Sequence, residues 1–342
     1  MSGKRIEAKE LRCAKRQPLQ EIIPLPAPFV MYIDPTNACN FKCKFCPTSD
    51  DELLRSVGRA KKMMSLDMFR KIIGDISGFN CRLKLLSLYK DGEPLLNPNF
   101  AEMVRIARRA GIAERIWTKT NGSLLNPELN RDIIDAGLNH ICISIEAVSH
   151  DGYRDIAAVD IDYSKLLTNI EDLYRHRGDC EIYIKIVDVN LSEEQKSKFY
   201  DDFQSICTHI AIEKLMGWSN SGVKDFTLGT APDTYDGLPF VKKMVCAYPF
   251  YVLAVNCDGS VSLCGNDWSQ QTVVGSVREK SLSEIWNSEE LYQFRVMMLR
   301  ERHKNAACRE CYYLQIVPDN IDEYRDEIQR RLDLARANHG KQ

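Results

Sequence analysis

Cys39, Cys43 and Cys46, in the run TNACNFKCKFCPTS, are the residues whose type and spacing most directly imply chemistry. The spacing is C-x3-C-x2-C, so three thiolates on one short loop can wrap a single metal centre. A structural zinc site normally closes with a fourth protein ligand, and no histidine lies nearby to supply one. A cubane 4Fe–4S cluster held by three cysteines instead keeps one iron open for an exogenous ligand.

A second set lies downstream, at Cys246, Cys264, Cys308 and Cys311. The run VLAVNCDGSVSLC reads as a hairpin with a tight Asp258-Gly259 turn, which would bring Cys246 near Cys264. The pair Cys308-x2-Cys311 would clasp the metal from the opposite side. Four thiolates close such a site, and spacing alone leaves zinc and iron–sulfur both open. Thirteen cysteines in 342 residues, an odd number, point to metal or redox chemistry rather than disulfides in a reducing compartment. The others, Cys13, Cys81, Cys142, Cys180 and Cys207, read as small buried hydrophobes. Cys257, beside the hairpin turn, is a candidate hydrogen-atom donor to a substrate radical.

The first set, with the aromatic Phe45 directly before its third cysteine, resembles the radical S-adenosylmethionine (SAM) signature. In that family the open iron binds the amino and carboxylate groups of SAM. One electron then cleaves the sulfonium to methionine and a 5′-deoxyadenosyl radical, which abstracts a substrate hydrogen. Further motifs follow in the family's order. Gly92-Glu93-Pro94, in KDGEPLLNP, resembles the "GGE" motif that approaches the SAM amino group, with Asp91 replacing its first glycine. A glycine there permits close backbone approach and a carboxylate can pair with an ammonium. Asn121-Gly122 stands where many relatives carry a "TNG" turn. Ser144 and Glu146, in ISIEA, match "S-x-D/E" and are expected at the SAM ribose or carboxylate; Lys185 is a further cofactor-binding candidate. Gly92 and Asn121 also suit ordinary turns, and Ser144 a strand-end cap.

The second set resembles the SPASM domain and its shortened "twitch" form. A full SPASM domain continues with more cysteines and holds two auxiliary clusters, whereas none follows Cys311. The resemblance therefore implies one auxiliary cluster, as in enzymes of the 2-deoxy-scyllo-inosamine dehydrogenase type. It favours iron–sulfur over zinc, and the expected cofactors are two 4Fe–4S clusters and SAM.

These residues need a scaffold. Short β-rich runs at Phe29–Ile33, Arg82–Tyr89, Arg115–Lys119, His140–Ile145, Glu181–Val187 and Ile210–Leu215 alternate with helical patterns near Leu66–Ile76, Phe100–Ala110, Pro127–Ala136, Tyr163–His176 and Glu193–Ile206. Such alternation predicts a parallel sheet with crossover helices. The fold class is α/β, a partial (β/α)6 TIM-like barrel with a small C-terminal iron–sulfur domain. Chemistry in α/β barrels sits at strand C-termini, where the motifs fall. The expected organisation is an N-terminal extension at 1–28, extended over the surface, the barrel at 29–218 and a linker at 219–245. An auxiliary-cluster domain at 246–315 and a C-terminal helix at 316–342 follow.

A hydrophobic share of 44% with 27% charged residues is that of a globular protein. A net charge of −2, with acids and bases mixed, excludes a general nucleic-acid binder. The charged start MSGKRIEAKELRCAKRQ lacks a signal-peptide core. The runs Ile22–Ile33 and Ala247–Val255 are too short to span a bilayer. A cytoplasmic protein without membrane contact is expected.

The second cluster points to oxidation. A carbinol carbon that loses hydrogen becomes strongly reducing once its hydroxyl is deprotonated, and a fully ligated cluster suits the role of electron acceptor. Dehydrogenation of a sugar- or aminocyclitol-like small molecule is expected, with Asp267 a candidate general base and flavodoxin or ferredoxin the electron donor. Epimerisation quenched by Cys257 and SPASM-type peptide modification are the alternatives. Only about 28 residues precede the barrel, few for a peptide-recognition domain. Outside enzymes, a zinc-stabilised binding protein is the remaining reading. Trp218 and Trp268 are expected to line the pocket or to pack.

Overall fold

The computed structural model describes residues 3–5, 17–220, 223–230 and 242–339. Six parallel strands form the barrel: β2 (Val30–Ile33), β3 (Leu83–Ser87), β4 (Ala113–Thr120), β5 (His140–Ile145), β6 (Glu181–Asp188) and β7 (His209–Lys214). A two-residue strand, β1 (Lys4–Arg5), lies parallel to β7 at one edge. The sheet continues at the other edge through β8 (Val252–Val255), β9 (Ser260–Ser262) and β10 (Val273–Ser276). The full order is β1-β7-β6-β5-β4-β3-β2-β8-β9-β10.

Local signals account for the crossover helices. In Leu66–Ser77 the Ser65 hydroxyl accepts from Met68 N, and Phe69, Ile72, Ile73 and Ile76 bury one stripe. Phe100–Ala110 ends on Gly111 at φ 62°, the left-handed stop that suits glycine. Asn126 caps Pro127–Asp135, with proline at the first helical position. Tyr163–His176 and Glu193–Phe203 complete the set. Their stripes pack on strands whose outward residues, such as Leu86, Ile116, Ile143 and Ile184, are fully buried.

The auxiliary segment is not a detached unit. Val252–Val255 pairs in parallel with Val30–Ile33, so the hairpin prolongs the barrel sheet. Its turn is as expected: Gly259 adopts φ 93°, and Asn256 N donates to Ser260 O at 2.8 Å. The N-terminal extension corrects the expectation of a surface lead-in. Leu19, Ile23, Leu25 and Ala27 are buried in the core, and Trp286 Nε1 donates to Leu25 O at 2.9 Å. These apolar side chains close the gap between the barrel edge and the C-terminal region. Helix Arg325–His339 buries Ile328 and Leu332, and Arg331 donates to Gln20 O at 2.7 Å.

Of the expected linker, Ser219 and Asn220 are buried against the auxiliary region, with Asn220 N donating to Ala307 O; residues 231–241 lie outside the described residues. Among the minor cysteines, Cys142, Cys180 and Cys207 are buried. Cys81 is exposed, because it sits in the turn before β3 rather than inside a strand. Cys13 lies outside the described residues. Among the described residues, no helix is long and apolar enough to cross a membrane.

Candidate active site between two cysteine sets

The turns at the strand C-termini line one open cavity of about 250 Å³. Cys39, Cys43 and Cys46 form part of its wall. The loop that carries them runs extended, and Lys42 N and Lys44 N donate to Ala157 O and Ile156 O at 2.8 and 2.9 Å. Residues therefore alternate, with Lys42 and Lys44 outward and Phe41 and Cys43 inward. Trp218 Nε1 closes the far end by donating to Phe45 O at 2.9 Å.

Burial pushes the Cys39 thiol up to about 12, with Glu93, Cys46 and Glu146 adding repulsion. Cys43 and Cys46 are raised too, burial first in each case. Three facing thiols that resist ionisation together need a cation to bind as thiolates. Among the described residues, no three Cys, His, Asp or Glu side chains converge on a single-ion site. The three thiols share one wall of an open cavity, which fits a cluster held by three cysteines with space beside it.

Gly92, expected beside the SAM amino group, packs tightly against protein backbone. A Cβ there would lie 2.3 Å from both Ala38 O and Thr36 O, so the close approach is to the backbone entering the cysteine loop. Glu93 N donates to Ala38 O at 2.9 Å, and the Glu93 carboxylate accepts from Leu95 N, Thr120 Oγ1 and Asn121 N. Burial raises Glu93 to about 7 against the pull of those donors. Pro94 is buried as the first residue of the following 3-10 turn and is not part of the cavity wall. Its ring sets the turn that lets Glu93 reach inward.

Asn121 lines the cavity and ties two loops together. Its amide donates to Asn40 Oδ1 at 2.9 Å and lies 4.0 Å from Cys39 Sγ. Ser144 and Glu146 also line the wall. Burial raises Glu146 to about 7, opposed by Lys185 and Lys119. Lys185 reaches the wall from β6 and pairs with Glu213 at 2.6 Å.

The second set lines a cavity of its own. Cys246, Cys264, Cys308 and Cys311 line one small cavity of about 30 Å³, walled by Pro249, Leu263, Phe294 and Met298 among others. Burial pushes Cys246 up to about 12 and raises Cys264, Cys308 and Cys311 as well. Four thiols facing one mostly apolar space fit a closed cluster.

Two sequence candidates fall elsewhere. Asp267 is fully buried, and its carboxylate accepts from Gln271 N, Thr272 N, Thr272 Oγ1 and Ser269 Oγ. It organises the turn after Cys264 and lines the small auxiliary cavity, with no face on the large one. Cys257 is buried beside Asp34 and Asn37 and lines neither cavity. The hairpin turn aims it back toward the barrel edge. Trp268 packs, fully buried, with Nε1 on Ser219 O.

The site also holds residues that motif reading missed. Tyr32, Tyr89, Lys119, Tyr248 and Tyr313 line the large cavity, and Tyr248 and Tyr313 line the small one too. Charged or aromatic residues on the inward face of β4 to β7 were the available signal, as at Trp117, Lys119, Lys185 and Glu213.

Comparison with known proteins gives a coherent picture. A model of the radical SAM superfamily matches residues 33–200, and one of the SPASM iron–sulfur cluster-binding domain matches residues 246–312. A Pyrococcus furiosus protein that modifies the cofactor of tungsten-containing aldehyde ferredoxin oxidoreductase is 23% identical, covering 82% of this chain and 86% of its own length. A SAM-dependent 2-deoxy-scyllo-inosamine dehydrogenase from Niallia circulans is 20% identical over 85% of this chain and 96% of its own. Among solved structures, BtrN with AdoMet and 2-DOIA superposes with a TM-score of 0.54 at 18% identity, covering 85% of this chain and 96% of that one. Streptococcus suis SuiB bound to its precursor peptide gives 0.62 at 14%, covering 89% and 74%. Both are likenesses of fold.

Proposed function

The chain belongs to the radical SAM superfamily and carries a SPASM iron–sulfur domain, and from that premise we propose that it dehydrogenates a hydroxyl-bearing carbon of a small sugar- or aminocyclitol-like substrate. When bound, the SAM-site 4Fe–4S cluster supplies the electron that splits SAM to methionine and a 5′-deoxyadenosyl radical, and the auxiliary cluster takes up one electron. The rest is the work of this chain's residues.

Cys39, Cys43 and Cys46 would hold the first cluster beside the cavity that SAM would enter. Gly92 and Asn121 fix the loop that carries them. Glu146 and Ser144 offer acceptors to SAM from the opposite wall, and Glu93 adds a carboxylate already held by three donors. Cys246, Cys264, Cys308 and Cys311 enclose the second cluster. In such a dehydrogenation the substrate would lose a hydrogen atom, an electron and its hydroxyl proton to leave a carbonyl, with the Lys185–Glu213 pair taking the proton. Lys185 passes its own proton to Glu213 as it takes the substrate's.

One observation carries the reading. Tyr248 and Tyr313 line both cavities, so a substrate against them lies beside the SAM site with only that wall between it and the auxiliary cysteines. Electron transfer to the second cluster requires such closeness. Burial of Cys257 outside the cavity removes the thiol on which epimerisation would depend. A reducing cytoplasm, with a flavodoxin or ferredoxin delivering the electron, is the setting such chemistry calls for.

The test is anaerobic turnover with SAM, dithionite and a panel headed by 2-deoxy-scyllo-inosamine, followed by mass spectrometry. The expected result is 5′-deoxyadenosine with a product two mass units lighter. A product of unchanged mass, or turnover of peptides alone, would refute dehydrogenation of such a polyol.

A further inference from the structure

Asp91 stands where the family motif has its first glycine, and its carboxylate has no exposure. Arg59 meets it at 2.8 Å, and Lys90 meets the same oxygen at 2.8 Å. Both cations are themselves buried, and both reach across to the auxiliary region. Arg59 donates to Trp268 O, and Lys90 Nζ donates to Asp267 O at 3.1 Å. Asp267 and Trp268 sit in the turn that immediately follows the cluster ligand Cys264. On the other side, Gly92 and Glu93 press on the backbone at Thr36–Ala38, directly before the ligand Cys39. Asp91 N also faces Asp34 Oδ1 at 3.5 Å.

A solvent-exposed ion pair would transmit little. This one is dry, and loss of one partner strands a buried charge, so the two loops it joins move together. A glycine in place of Asp91 would leave Arg59 and Lys90 without their shared counterion. The residue is therefore built for something the motif does not need.

We propose that Asp91 is a positioning residue that couples the two metal sites, so that SAM binding beside Cys39 is felt at the turn following Cys264. Coupling of this kind is reciprocal: the state of the auxiliary site alters SAM affinity by the same factor. The inference rests on the radical SAM assignment and not on the choice of dehydrogenation, so its test needs no substrate.

The experiment is hydrogen–deuterium exchange on the cluster-loaded, unreduced protein, with and without SAM, which is not cleaved in that state. In the parent, SAM is expected to slow exchange about threefold or more both in the Cys39 loop and in residues 264–272. In Asp91→Asn, the Cys39 loop should still respond and residues 264–272 should not. Arg59→Lys, which keeps the charge but loses the span to Trp268 O, should weaken the distant response if Asp91→Asn fails to hold iron. The proposal is overturned if SAM leaves residues 264–272 unchanged in the parent. It is equally overturned if either iron-loaded variant keeps the full distant response.

Discussion

Lys185 Nζ lies 2.6 Å from the Glu213 carboxylate, which also accepts the Tyr183 hydroxyl at 2.9 Å, on the inward faces of adjacent parallel strands. The side chains are 9% and 10% exposed, so the pair is nearly dry. Burial raises Glu213, but Lys185 foremost, with Lys119 and the Tyr183 hydrogen bond, leaves its carboxyl lowered overall. Removal of one charge strands the other. Glu213→Leu should destabilise the protein by about 3 kcal/mol, and Lys185→Met by a similar amount, in chemical denaturation of the iron-free chain. The double variant should regain most of the loss. A double variant as unstable as the sum of the singles would show that the pair is not a unit.

The two cysteine sets line separate cavities, so their loss should be separable. Cys39→Ala, Cys43→Ala or Cys46→Ala should abolish reductive SAM cleavage and remove about half of an expected eight irons. Cys308→Ala should instead lower iron at the auxiliary site while measurable 5′-deoxyadenosine formation persists. Iron analysis and product chromatography on anaerobic protein decide both. Zinc in place of iron at the second set would contradict the assignment.

Much of the scaffold was legible from period alone. The His140–Ile145 strand and the Phe100–Ala110 and Tyr163–His176 helices fall at the expected bounds, because caps and alternation mark their ends. That each cysteine set gathers on one cavity was legible because thiol spacing has few other uses. The network of Arg59, Lys90 and Asp34 was not, since Arg59 lies in a loop and meets Trp268 across 209 positions. No local pattern encodes such a contact. Asp267 misled for the same reason: a carboxylate beside a ligand cysteine suggests a base, and only the fold reveals four donors already filling it.

Asp34 gives a pH-dependent prediction. Burial, reinforced by Asp91, raises it to about 7, while Lys90 and Arg59 pull the other way. An unfolded aspartate titrates near about 4. Between those values the folded protein holds a proton that the unfolded chain has released, so stability falls as pH rises toward 7. The full cost is present above it. Asp34→Asn removes that cost, so its stability relative to the parent should improve from pH 5 to about pH 7 and level off by pH 8. Parallel melting curves of iron-free protein test this; a difference that stays constant across that range would contradict the raised value.

Gly92 offers the sharpest steric test. An added Cβ would lie 2.3 Å from two carbonyl oxygens, Ala38 O and Thr36 O, and 2.8 Å from the Asn37 carbonyl carbon. None of these is the tip of a flexible side chain, so the backbone before Cys39 has to move. Thr36 and Asn37 are in turn held by Lys62 and Ala60 through Thr36 Oγ1 to Lys62 O at 2.8 Å and Asn37 Nδ2 to Ala60 O at 2.9 Å. The displacement therefore passes to Cys39 rather than being absorbed upstream. Misplacement of a reacting group by about 1 Å can cost about a hundredfold in rate, so Gly92→Ala should slow SAM cleavage by about that factor. Iron at the auxiliary set should remain. Near-parental cleavage by Gly92→Ala would mean that the loop entering the first cysteine set is not held by this contact.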